Sequence, residues 1–469
     1  MSLPIDNPIR NCEDRADPDR AAPACAHFGL CGGCQLQHLT YPTQLAEKSA
    51  RLRALLDAAG LALPELQLHS SPPLAYRNRI RLTLAEVAGQ LRAGYLRNPE
   101  VENSESKDQA TPIFLAINEC PIAAPILWRA TEALLALLNE SASVWLRDPR
   151  QTPDQLEIFT SADESRLQLT LYLRCAAKSL PKKLTTDFNA LCESLRTRVP
   201  ELTGAGIALL PPLSKQRSRR NEQPRPGPEW GSPGLNYLVP AKSEAVIRSE
   251  AATRSEAATK DETVIEDEVV ILSAAKNPRI SSLPLPLSVL KSFPTIESSY
   301  WVPRGAFFQV NRHLIPELLS LITANRSGQL AFDLYAGVGL FSRSLAVGFA
   351  QVTAVEIAEP AATALAATKL RNLHAVKATT LDFLRVAVLD RERPDLIILD
   401  PPRTGAGSEV CALLARINAP TLVYVSCSPQ TLPADLTTLA ASGYRVDELH
   451  LFDLFPQTAH IETVAILTR

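Results

Sequence analysis

Two hydrophobic rhythms divide this chain. Towards the C-terminus, short apolar runs alternate with helical stretches: 330–334 (LAFDL), 352–357 (VTAVEI), 395–400 (DLIILD) and 421–425 (TLVYV). Nearly continuous apolar runs of this length read as strands covered on both faces, and helices between them make a parallel, doubly wound sheet. Further back the periods are mixed. Residues 41–61 place Leu45, Leu52, Leu55 and Leu56 at helical spacing, with Gly60 as a stop. Residues 76–84 alternate as a strand and set Arg77, Arg79 and Arg81 on one face. That row suits a phosphate backbone or an ordinary solvated face. Residues 87–95 read as a hairpin return through Gly89, and a strand at 167–173 and a helix at 180–199 complete an α+β region. The hexapeptide from Arg248 is repeated from Arg254, and the stretch 241–295 keeps no period. It reads as a low-complexity insertion. A helix at 313–321 leads into the C-terminal domain. The expected order is a lead-in at 1–23, an α+β domain at 24–240, the insertion at 241–295 and an α/β domain at 296–469.

A chain of 469 residues exceeds one core, in keeping with that division. The formal net charge of −2 gives no global attraction to nucleic acid or membrane, so such a partner needs a local patch. Lys215, Arg217, Arg219, Arg220 and Arg225, against Glu222, read as a solvated linker before an RNA-contacting arm. No apolar run is long enough to span a bilayer, and residues 1–20 lack a signal-peptide core, so a cytoplasmic location is expected. There, clustered cysteines bind metal more often than they form disulfides.

Cys25, Cys31 and Cys34 fall within ten residues, with Gly32 and Gly33 between the last two. Three thiolates on a backbone that can wrap closely suit a metal ion or an iron–sulfur cluster. His27, His38 or Cys120, which precedes Pro121, supplies the fourth ligand, and spacing leaves zinc and iron both open. Cys12, Cys175, Cys192 and Cys411 stand apart from any such pattern. Cys427 follows the run at 421–425. Pro429 then fits the first turn of a helix, whose dipole would lower the thiol's pKa. A nucleophile and a small core residue are both consistent with that place. The turn Asp333-x-Tyr335-x-Gly337-x-Gly339 follows the first strand, and Glu356 lies 23 residues after Asp333. Asp382 and Asp400 come near the ends of later strands. An acid at Glu356 can accept both hydroxyls of a ribose. With no phosphate-binding lysine at the turn, S-adenosylmethionine fits better than NAD or ATP.

Together these motifs resemble the RNA uracil-C5 methyltransferases. The matching pieces are the four cysteines with Pro121, Tyr76-Arg77-Asn78, Phe307-Phe308-Gln309-Val310-Asn311, the glycine turn, Glu356 and Asp400-Pro401-Pro402-Arg403. Ser426-Cys427-x-Pro429-x-Thr431-Leu432 and His460-Ile461-Glu462-Thr463 complete the set. The resemblance implies a Rossmann-like S-adenosylmethionine methyltransferase domain behind an RNA-binding α+β domain. It implies a [4Fe–4S] cluster on Cys25, Cys31, Cys34 and Cys120, as in the branch acting on 23S ribosomal RNA rather than transfer RNA. Gln309, Tyr335, Glu356, Asp382 and Asp400 would then hold S-adenosylmethionine. Cys427 would be the nucleophile and Glu462 the base, in a monomer acting on RNA.

Three features depart from the pattern. With 24 residues before Cys25, the small β-barrel RNA-binding domain of larger members is expected to be absent. Leu340 replaces a polar residue after the glycine turn. The insertion is foreign to the family and is expected to be tolerated as a surface excursion. Two rival readings are a methyltransferase acting on an exocyclic amine, for which Arg403 is the wrong neighbour, and a non-catalytic iron–sulfur RNA-binding protein.

Overall fold

Hydrophobic continuity sets the larger sheet. In the computed structural model, which describes residues 17–97, 112–140, 145, 152–174, 182–211, 224–240 and 298–469, every residue of Leu396–Leu399 is buried, as are all but the first of Thr421–Ser426. Cys12, Cys175, the basic residues 215–220 with Glu222, the insertion at 241–295 and most of the expected lead-in lie outside the described residues.

The larger sheet has eight strands. They are β1 (Leu66–His69), β11 (Gly328–Leu334), β12 (Phe349–Val355), β13 (Leu373–Val376), β14 (Leu396–Leu399), β15 (Thr421–Ser426), β16 (Arg445–Phe452) and β17 (Glu462–Thr468). Their order is β1-β16-β17-β15-β14-β11-β12-β13. The sheet departs from the all-parallel expectation at one strand: β17 runs antiparallel to both β15 and β16. A short return between β16 and β17 needs no crossover, so the chain doubles back between two parallel strands.

The N-terminal segment is shared between the two sheets. Leu52 and Leu56 of helix α1 (Tyr41–Asp57) join the apolar core on one face of this sheet, and β1 pairs parallel with β16. The sequence groups this segment with the central region, yet it closes an edge of the larger sheet. The buried stripe of α1 is Gln44, Lys48, Leu52 and Leu56, at i, i+4 spacing, while Leu45 and Leu55 are only half-buried.

The second sheet has seven strands, β2 (Arg79–Val87), β3 (Gln90–Arg97), β4 (Ile113–Ala116), β5 (Gln155–Thr160), β6 (Leu167–Arg174), β7 (Leu202–Leu210) and β8 (Arg225–Gly231). Their order is β4-β3-β2-β5-β6-β7-β8. Helices Pro125–Leu138 and Leu184–Arg198 share the sheet's apolar core through Leu127, Leu134, Phe188 and Leu195. The expected helix at 313–321 is Ile315–Thr323, with Pro316 in its first turn. The helix after β15 is Leu432–Ala441, with Pro433 in its first turn. Pro429 therefore lies before the helix, contrary to the sequence expectation.

Candidate active site

Strand register builds the site. Leu334 pairs with Val355 and with Leu399, so Tyr335, Glu356 and Asp400 are each the first residue past neighbouring strand ends, in one row. The next strand, β15, ends at Ser426, which pairs with Thr463 of β17. The antiparallel direction then sets Cys427 and Glu462 side by side, one past its strand and the other opening its own. This is the carboxyl edge of the sheet, where open α/β folds bind ligands.

The glycine turn is wound tightly. Tyr335 has φ 62°, Gly337 56° and Gly339 87°. A side chain on Gly339 would strike Leu365 at 2.8 Å. Gly337 N–H donates to Glu356 at 2.8 Å, and Ile357 and Ala358 N–H donate to its other oxygen at 2.7 and 2.6 Å. The Tyr335 hydroxyl is engaged by Thr380, at the start of the helix Thr380–Leu389. Gln309 is buried, and its carbonyl accepts from Asn78 at 2.9 Å. Asp382 lies apart from this row in its bonding. It is mostly exposed, caps with Thr379 at 2.7 Å and pairs with Arg385 at 3.2 Å.

Carboxylates dominate the field. Asp333 is buried, accepts from the Ser342 hydroxyl, and is pushed up to about 7 by burial, with Glu356 adding to the rise. Asp400 is raised by burial and then by Asp333. Glu462 is 3% exposed and is raised well above the ordinary carboxyl range, by burial first and then by Asp400, with Arg403 opposing. Cys427 is pushed up to about 11 by burial, then by Glu462 and Asp400, again opposed by Arg403. The sequence expectation of a lowered thiol is thus reversed. The helix starts five residues later, beyond the reach of its dipole, and two acids stand closer.

Cys427 opens onto a cavity of about 320 Å³ lined by Gln35, Arg51, Arg403, Gln430 and His460, among others. Burial lowers the His460 pKa, and the charges of Arg403, Arg77, Lys48 and Arg51 lower it further. Of these, Arg51 and Arg403 line the cavity itself. Sequence reading missed Arg51 and Lys48, whose helix gives no sign of which wall it faces. The loop between β16 and β17 is fastened from behind. Lys48 Nζ meets Asp453 at 2.6 Å with both side chains buried, Gln44 and Gln457 bond reciprocally at 2.9 and 3.0 Å, and Gln35 and Leu36 N–H both donate to the Gln457 carbonyl at 3.0 Å.

The row of arginines is divided. Arg79 lies 4.2 Å over the Phe159 ring and donates to the Ala306 carbonyl at 2.6 Å. Arg81 lies 4.0 Å over Tyr172 and donates to Gln155 at 2.9 Å. Arg79 is held by these contacts, whereas Arg81 is exposed and its Nε alone is engaged.

Cys25, Cys31, Cys34 and Cys120 line one pocket with about 60 Å³ of open space. Burial raises all four thiols, and nearby thiols add to the rise for Cys31, Cys34 and Cys120. Backbone N–H groups partly offset the rise: those of His27 and Phe28 for Cys25, of Gly33 for Cys31 and of Ala123 for Cys120. His38 stacks on Phe28 at 5.7 Å and does not line the pocket. Among the described residues, no three His, Cys, Asp or Glu side chains converge on a single-ion site. No described helix is long and apolar enough to cross a membrane.

Comparisons with known proteins place the chain in a family. Residues 292–469 match the tRNA (uracil-5-)-methyltransferase family model. The chain is 30% identical over 458 residues to the 23S rRNA (uracil(1939)-C(5))-methyltransferase of Chromohalobacter salexigens, covering 96% of this chain and 77% of that one. It is 27% identical to the enzyme of the same name from Alkalilimnicola ehrlichii, over 96% and 84% of the two chains. Among solved structures, the tRNA (uracil-54, C5)-methyltransferase of Pyrococcus abyssi, in complex with S-adenosyl-L-homocysteine, superposes with a TM-score of 0.60 at 21% identity, over 94% of this chain and 86% of that one. The chain belongs to the RNA uracil-C5 methyltransferase family and is an enzyme of that class.

Proposed function

We propose that this enzyme methylates C5 of a uridine in 23S ribosomal RNA, with S-adenosylmethionine as the methyl donor. The named activity of the bacterial relatives supports the RNA, and the S-adenosyl-L-homocysteine bound in the archaeal structure supports the donor. The observation that carries the reading is the β15–β17 register, which sets a thiol beside a buried acid at the mouth of a cavity lined by Arg51 and Arg403.

Glu356, Tyr335, Asp400 and Gln309 are the proposed contacts of S-adenosylmethionine, with Asp382 further out. The acids suit a ligand that carries ribose hydroxyls and a sulfonium charge and has no pyrophosphate. The donor supplies an electrophilic methyl group. C5 of uracil is a poor nucleophile until C6 is attacked. The Cys427 thiolate adds to C6, and C5, now enolate-like, forms its bond to the methyl carbon. Glu462, as the carboxylate, takes the C5 proton, and the returning electron pair expels the thiolate from C6. A base with a raised pKa accepts that proton readily. The target uridine reaches Cys427 unpaired or flipped from its stack.

The cysteine pocket fits a [4Fe–4S] cluster. Its four cysteines are the donor set that such a cluster takes, and all four line one pocket. Cys25, Cys31, Cys34 and Cys120 would hold the cluster, which ties the N-terminal loop to the turn at Cys120 and has no part in methyl transfer.

The test is single turnover with anaerobically purified protein and methyl-labelled S-adenosylmethionine, given unmodified 23S ribosomal RNA or transfer RNA separately. Label in 5-methyluridine from the ribosomal RNA alone is expected. Label from transfer RNA alone moves the substrate, and label in methyladenosine or methylcytidine overturns the roles of Cys427 and Glu462.

A further inference from the structure

Arg77 is the member of the arginine row that neither an aromatic ring nor an acid engages. Its backbone is built into the turn that carries Cys120: Arg77 N–H donates to the Ile122 carbonyl and Ala124 N–H to the Arg77 carbonyl, both at 2.9 Å. Its side chain lines the pocket with the four cysteines. Arg77 Nε is buried and has no hydrogen-bond partner. Among the described residues the side chain makes no ion pair. Glu119, the acid lining the same pocket, is engaged by Ala26 N–H at 2.8 Å. A buried guanidinium donor without an acceptor is costly, and so is a buried group of thiolates without a cation. The two costs lie in one pocket, and each removes the other.

We propose that Arg77 is the counter-charge of the cysteine pocket, supplying the buried N–H and the positive charge that retain the iron–sulfur cluster and raise its reduction potential. The inference rests on the cluster reading above. Net charge and hydrogen bonds to sulfur are among the properties that set the potential of such a cluster. An outer partner of a metal site is typically worth about 10–100-fold in affinity. The role also accounts for the division of the row: Arg77 lines the pocket, while Arg79 and Arg81 contact side chains of the central sheet.

The experiment uses full-length protein reconstituted anaerobically with iron and sulfide. Wild type, Arg77→Met, Arg77→Lys and Arg81→Met are compared by iron and sulfide content, by decay of the visible cluster band under an iron chelator, by midpoint potential, and by binding of 23S ribosomal RNA fragments. Arg77→Met is expected to lose its cluster about 10–100-fold faster than wild type, with a lower midpoint. Arg77→Lys should fall between, and Arg81→Met should match wild type. If Arg77→Met does not fold, the lysine variant decides alone, since wild-type decay and potential in it refute a need for the guanidinium N–H. Wild-type cluster decay in Arg77→Met overturns the proposal, and weakened RNA binding alongside makes Arg77 a phosphate contact instead. A wild-type protein that takes up no iron and sulfide overturns the cluster reading itself, a different failure visible before any variant is made.

Discussion

Cys120 and Cys427 are both thiols that burial keeps protonated, pushed up to about 12 and about 11, yet their neighbours differ in kind. Around Cys120 stand other thiols, a backbone N–H and the charge of Arg77. Around Cys427 stand Glu462 and Asp400, with Arg403 alone in opposition. The first setting already holds the donors an anion needs and is completed by a bound cation. The second holds added negative charge and disfavours the thiolate until something positive arrives. On the proposed reading that something is the sulfonium of the methyl donor, so the nucleophile forms when there is a methyl group to transfer. The charges around a thiol decide its chemistry more than its place between strand and helix does.

The sharpest way to break this comparison is to remove each cysteine. Cys427→Ala is expected to lower single-turnover methyl transfer by at least about 10⁴-fold, the scale seen when a nucleophile is lost, while binding of S-adenosylmethionine by calorimetry stays intact. Retained turnover would return Cys427 to the role of a core residue. Cys120→Ala should leave the catalytic thiol in place and instead empty the pocket of iron and sulfide.

A smaller effect is expected at Glu462. Glu462→Gln cannot take the C5 proton, so turnover should fall by about 10²–10⁴-fold, and the methylated uridine should remain covalently bound through Cys427. A protein–RNA band that survives denaturation checks this. The same variant removes the acid whose charge holds the Cys427 proton most strongly after burial. The pH midpoint for alkylation of Cys427 in the free protein should therefore fall below about 11. An unchanged midpoint would mean that Glu462 is already uncharged there, leaving Asp400 to act alone.

The parts of this fold that repeat were readable from the chain, and the parts that depend on a partner surface were not. The runs at 330–334, 352–357, 395–400 and 421–425 announce buried strands by composition alone, and the acids that follow them fall at strand ends because the apolar run stops there. The direction of β17 was not readable, because an apolar strand carries no mark of parallel or antiparallel pairing. Yet that direction is what brings Glu462 beside Cys427. Helix α1 was readable as a helix but not by its inner face, since two of its four buried positions are Gln44 and Lys48. Lys48 is buried because Asp453 waits for it, more than 400 residues away. Arg77, Arg79 and Arg81 made a regular row in the sequence, and the structure separates them: Arg79 and Arg81 lie over aromatic rings, and Arg77 lines the cysteine pocket.

The smallest expected effect concerns stability, and it tests whether the two thiol sites differ in strain as well as in charge. Burial and Asp400 raise the Glu462 pKa in the folded protein above its unfolded value. For such a group the favourable contribution is full below the unfolded pKa, near 4.3, and is lost as pH rises towards the folded pKa. Above that window the wild type carries a penalty that an uncharged amide of the same shape does not. Glu462→Gln should match wild type in Tm near pH 4 and melt higher at pH 8. The gain in Tm at pH 8 is read by calorimetry at both pH values. Higher stability in the variant that has lost turnover would place the strain at the catalytic acid, as expected where a site is held for function. A lower Tm at pH 8 would instead make the Glu462 carboxylate part of the scaffold, and its role as the base would need another residue.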